Sequence, residues 1–122
     1  VPCPMDTFRY RALRTGQLTP QAAAKLLPDR ATLACVWRYL AAVPGGSLQE
    51  SPLCLCRKIV RRSGTELSLE QLLTCLDIFR DVGLLEEKRI HLTVAIRLRT
   101  VSGKADLTKS ETMQTLLRAK ES

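Results

Sequence analysis

The stretch RKIVRR places Arg57, Lys58, Arg61 and Arg62 at two i, i+4 steps. A helix through it carries four cations on one side and Cys56, Ile59 and Val60 on the other. Cations at that density repel one another unless an anion compensates, so the pattern suits phosphate oxygens or a partner's carboxylates. Further along, Lys88 and Arg89 are expected at a β-turn, and Arg97 and Arg99 on the polar side of a strand. Together the eight define a stripe that can follow a phosphate backbone without reading bases. The charge is sharply segregated. Ser51 to Arg62 holds four basic residues and no acid, Ser63 to Glu87 six acids against Arg80, and Lys88 to Ala105 five basic residues and no acid.

Catalytic chemistry finds less support. Glu70, Asp77 and Asp81 are spaced to share a helix face and could in principle bind a divalent cation or form an acid–base pair. With no third ligand or apolar pocket implied, a solvated face is expected. His91 is the only histidine and has no Asp or Glu within three positions. None of the patterns GxxxxGK, GxGxxG or HExxH occurs. Five cysteines form an odd set, and Cys54-Leu55-Cys56 has one intervening residue where zinc sites have two to four. Those inside helical patterns are expected to pack as small hydrophobes in a reducing, cytoplasmic setting. No catalytic residue, metal ligand or cofactor is assigned to this chain. Single-strand binders stack bases on aromatic rings; here Trp37 and Phe79 are expected in the core, leaving only Phe8, Tyr10 and Tyr39, so tight single-strand binding by this piece alone is not expected.

The elements that must position these groups are marked by their caps. Thr19-Pro20 opens PQAAAKLL, which Pro28 stops, and Asp29 caps RATLACVWRYLAAV, whose Leu33, Val36, Trp37 and Leu40 recur at helical steps. PGGS breaks that helix. Ser51-Pro52 then caps LCLCRKIVRRSG, with Gly64 as its stop, although this helix could already start after Ser47. Ser68 with Gln71 is a capping box, and Leu69, Leu72, Leu73, Leu76 and Phe79 line one face of a helix ended by Gly83. Next, Ile90, Leu92, Val94, Ile96 and Leu98 alternate with more polar residues as a half-buried strand. Its partner is the short LLEEK, joined by a tight turn near Glu87 to Arg89. Ser102-Gly103 marks another turn, and Thr108 or Ser110 caps a last helix, ETMQTLLRA.

This order predicts an α+β, mostly helical domain of the winged helix-turn-helix type with a small β-wing, spanning residues 19–122. Residues 1–18 are expected to be an N-terminal linker or tail. A start at Val-Pro-Cys-Pro, without an initiator Met, suggests a piece of a longer protein. In such folds the third helix ordinarily enters the major groove. Here its outward stripe is read as Glu70, Thr74, Asp77 and Asp81, whose carboxylates phosphates would repel, so sequence reading by this helix is disfavoured. The formal charge of +7 points to an anionic partner, and the longest apolar run is far short of the roughly 20 residues that span a bilayer.

Three segments, LPDRATLACVWRYL, LLTCLDIFRDVGLLE and GKADLTKSETM, together resemble the C-terminal extension of RecJ-type single-stranded-DNA-specific exonucleases in the longer form of Firmicutes-like bacteria. The resemblance covers about the last 95 residues. It implies a parent hydrolase, dependent on Mn or Mg, that degrades single-stranded DNA from the 5′ end in recombination and repair. The Asp-His-His and other metal motifs of that core have no counterpart here, so no catalytic residue carries over. The resemblance then leaves an accessory role: holding single-stranded DNA, or docking the acidic tail of the single-stranded-DNA-binding protein. No membrane or small-molecule partner is expected.

Overall fold

The computed structural model describes residues 18–90, 92–99 and 105–121. The N-terminal segment up to residue 17, His91 and the Ser102-Gly103 turn lie outside them, as do Cys3, Phe8 and Tyr10.

Each helix starts where a side chain can take up a free backbone N–H. Thr19 accepts from the amide of Ala22 to open α1 (Pro20–Leu26), and Asp29 accepts from Thr32 at 2.7 Å to open α2 (Arg30–Ala41). Ser51 does the same for α3 (Pro52–Ser63), which Gly64 ends in the left-handed conformation at φ 72°. The capping box of Ser68 and Gln71 opens α4 (Leu69–Asp81). At the far end of α4, the Leu84 amide donates to the Phe79 carbonyl and the Gly83 amide to that of Arg80, a Schellman closure that needs the positive φ of Gly83. Ser110 accepts from the Met113 amide as α5 (Glu111–Glu121) begins.

Three antiparallel strands, β1 (Ser47–Glu50), β2 (Leu85–Ile90) and β3 (Thr93–Leu98), form a sheet in the order β1-β3-β2. The run α2, β1, α3, α4, β2, β3 is the winged-helix order, so the domain is α+β, mostly helical, with a small β-wing. β1 was not expected. A short 3-10 turn, Pro44–Gly46, leads into it, and SLQE pairs along the edge of β3, Leu48 opposite Ile96. Helix α3 begins only after it.

The wing hairpin also differs from expectation. Ile90 pairs with Thr93, so the chain reverses between these two residues, and Glu87 to Arg89 lie within β2. The apolar alternation therefore does not run on one face. Val94 and Ile96 are buried, whereas Ile90 and Leu92 are 47% and 59% exposed, because the reversal falls between them and the strand's core-facing residues.

Leu33, Val36 and Leu40 of α2, Leu55 and Ile59 of α3, six residues of α4, and Leu85, Val94 and Ile96 of the sheet share one core. Each large side chain buried there contributes roughly 1.5–3 kcal/mol relative to exposure. Trp37 packs its ring on Phe79 at 5.3 Å between centroids. The terminal helices α1 and α5 pack on each other through Ala23, Leu26 and Leu116, and both lie against α4.

Candidate nucleic-acid interface

In a winged helix, α4 is the element that ordinarily enters a DNA groove. Here it is the most enclosed helix of the domain: every residue from Leu72 to Phe79 is buried. Thr74 is fully covered and Asp77 is 4% exposed, so the middle of the stripe expected to face solvent does not, while Glu70 is half-buried and Asp81 exposed at its ends. The correction has a tertiary cause, since α1, α5 and β2 all pack on α4, and Arg89 of β2 covers Asp77. The Thr74 hydroxyl donates to the Glu70 carbonyl at 2.9 Å. Asp77 accepts from Arg89 at 3.0 Å and lies 3.1 Å from Arg80. Asp81 is exposed, yet its carboxylate accepts from the Ser110 hydroxyl at 2.7 Å and the Thr112 amide at 3.0 Å, fastening the start of α5. Partial burial pushes the Asp81 carboxyl up, but those hydrogen bonds, with Arg80 nearby, outweigh it and hold its pKa below the ordinary carboxylate range. Steric cover closes the middle of α4 to a groove, and Asp77 and Asp81 are taken up by the domain's own cations, hydroxyl and amide.

The expected cationic residues divide into two sets. Arg57, Lys58, Arg61 and Arg62 are all exposed on α3. At about 100° per residue they occupy an arc of roughly 140°, opposite the buried Leu55, Cys56 and Ile59. Lys58 bonds Glu50 at the end of β1 at 2.6 Å, and the hydrogen bond and charge of Glu50 raise its pKa above the usual lysine value. On the sheet, pairing puts Arg97 opposite both Ser47 and Glu86, and Lys88 opposite Ala95, on the outer face. Arg99 follows β3, exposed and 3.8 Å from Glu86.

Arg89 departs from the expected stripe. It falls opposite Val94, on the inner side of the sheet, and reaches α4 to bridge Asp77 and Glu87, the latter at 2.9 Å. Lys88 and Arg89 thus point to opposite faces and neither lies at the wing turn. Among the described residues, Arg57, Arg61, Arg62, Lys88 and Arg97 have no ion pair recorded.

Two clefts connect the sets. One, of about 420 Å³, lies between the C-terminal ends of α2 and α3 and is lined by Arg38, Tyr39, Pro44 and Arg62 among others. The second is lined by Gly45, Gly46, Ser47, Arg97 and Arg99. Their linings are consecutive in the chain at Pro44 and Gly45, so cations flank this turn on both sides, Arg38 and Arg62 in the first cleft and Arg97 and Arg99 in the second. Compared with known proteins, the chain matches no protein family, no curated protein and no solved structure.

Arg38 was not singled out from the sequence. Its signal was available, since it stands beside Tyr39 in the last turn of a helix capped by Asp29, where a cation favours the carbonyl end and emerges at the loop. Among the described residues no group of three or more His, Cys, Asp or Glu can hold a metal ion, and Asp77, Asp81 and Glu87 are engaged by Arg80, Arg89 and Ser110. Buried Cys56 donates to the Leu67 carbonyl at 3.1 Å, and burial together with Glu70 raises its pKa. Burial, then Cys35 and Asp29, push the Cys75 thiol up to about 12. Both are packing residues. Among the described residues no helix is long and apolar enough to cross a membrane.

Proposed function

We propose that this chain is a non-catalytic accessory module that contacts the backbone of single-stranded DNA without sequence preference, and that it serves a single-stranded-DNA-specific exonuclease of the RecJ type. One observation carries the binding half of this reading. Asp77 and Asp81 of α4 and Glu87 of β2 are engaged within the domain, while Arg57, Arg61, Arg62, Lys88 and Arg97 stand exposed without a carboxylate partner among the described residues. A surface in that state attracts polyanions, and with α4 enclosed it offers them positive charge without a base-reading helix. The exonuclease half rests on the resemblance of the three segments described above.

The measurement is fluorescence anisotropy of the chain with oligothymidylate across a salt series. Contacts by three to five of these cations give a slope of log K against log[salt] on the order of −2 to −4, at about −0.7 per phosphate. Charge reversal at Arg57 and Arg61 lowers it by roughly 1.4 or more. Binding that ignores salt, or that is absent at low ionic strength, rejects the proposal.

A second reading has one specific observation in its favour. A cleft of about 870 Å³, lined by Leu33, Trp37, Phe79 and Leu84, also carries two cations, Arg30 and Arg99, against one acid, Asp106. That combination suits an acidic peptide with an apolar side chain, such as the tail of the single-stranded-DNA-binding protein that the resemblance suggests. Saturable binding of an acidic-tail peptide that competes poorly with DNA supports docking; displacement of the peptide by DNA in proportion to charge does not.

A further inference from the structure

The cleft between the ends of α2 and α3 contains an aromatic ring as well as cations. Tyr39 lines it with Arg38 and Arg62, and packs its inner side against the domain core while remaining only half-buried. Lys58 is its electrostatic neighbour from the side of β1. We propose that this cleft is a nucleotide subsite in which one unpaired base stacks on the Tyr39 ring while Arg38 and Arg62 hold the flanking phosphates. The inference rests on the reading of the chain as a single-strand binder and adds to it a base-dependent contact.

The sign of the local field decides whether an anion can sit there. α2 and α3 both present their carbonyl ends to this region, each equivalent to roughly half a negative charge. The two guanidinium groups carry two full positive charges, so the balance is positive even with Lys58 committed to Glu50. The ring is held for stacking at small entropic cost, since its packing against the core already limits its rotation. A base presents its face to such a ring whatever its identity, so the contact adds affinity without adding sequence preference. Beyond Pro44, a second cleft starting at Gly45 is lined by Arg97 and Arg99, cations available to further phosphates of the strand.

The test compares oligothymidylate with an abasic strand of equal length, which keeps the phosphates and removes the bases. The full chain should bind the base-bearing strand at least about fivefold more tightly, the low end of one stacked base. Tyr39→Leu, which keeps apolar volume but no π-face, should shrink that ratio to within about twofold while the affinity for the abasic strand and the salt slope stay unchanged. Tyr39→Phe should keep the preference, and an unchanged melting curve for both variants shows that packing is intact. Equal binding of both strands by the unmodified chain overturns the subsite and leaves backbone binding standing. Retention of the preference in Tyr39→Leu also overturns it. Absence of binding to either strand at low salt overturns both readings.

Discussion

Replacing Arg89 by alanine should damage the fold and spare the interface. Asp77 has a side chain only 6% exposed and that of Glu87 is fully covered, and Arg89 serves both, at 3.0 and 2.9 Å. Arg80 is 3.1 Å from Asp77 but 3.9 Å from Glu87, and is 45% exposed. Removing one partner of a buried pair costs about 3–5 kcal/mol. Because Arg80 remains to hold Asp77, Arg89→Ala belongs at the low end, about 3 kcal/mol. Arg80→Ala removes the more exposed cation with one long contact, which places it near 1 kcal/mol. At about 4 °C per kcal/mol for a domain of this size, the melting temperature should fall by roughly 12 °C and 4 °C respectively. Thermal and urea denaturation give both numbers. Below its melting range Arg89→Ala should retain the salt slope for oligothymidylate, whereas Arg61→Ala should lower it by about 0.7. Equal losses of stability for the two variants, or a clear drop in the slope for Arg89→Ala, refutes this assignment of roles.

Two further outcomes follow from the packing. Asp81 has a lowered folded pKa, so its hold on α5 is fully present above the unfolded value near 4 and is lost as pH falls through the lower folded value. Asp81→Asn should cost about 1 kcal/mol at pH 7, discounted for exposure, and should flatten the acid limb of an equilibrium unfolding series. A limb as steep as that of the unmodified chain counts against the anchoring. Thiol labelling at pH 8 should modify exposed Cys54 promptly and reach Cys75, whose thiol titrates at about 12 and is buried, only on unfolding. Prompt native labelling of Cys75 contradicts its place in the core.

How far these features can be read in the chain depends on how local their causes are. Thr19, Asp29, Ser51 and the Ser68–Gln71 box announce helix starts because a cap satisfies amides two or three residues away, and the structure places all four helices accordingly. β1 has no such signal: SLQE offers one partly buried leucine and exists because β3 presents an edge to pair with. Glu87 and Arg89 look like turn residues, and they face inward only because α4 supplies Arg80 and Asp77 as counter-charges. The enclosure of α4 had a visible trace. LLTCLDIF is apolar nearly all round, the pattern of a helix covered on every side, and the polar stripe was overweighted against it. In the candidate interface, the α3 cations could be recognised from i, i+4 spacing alone. The Tyr39 cleft needs two helix ends brought together, which spacing does not encode.

The central claim, that an anion meets α3 and the outer sheet face and leaves α4 untouched, is tested most directly by amide chemical-shift mapping of the chain titrated with oligothymidylate at low salt. The account predicts perturbations concentrated at Arg57 to Arg62, around Arg38 and Tyr39, and at Arg97, with Leu72 to Phe79 unmoved. Shifts centred on α4, with α3 silent, would contradict it.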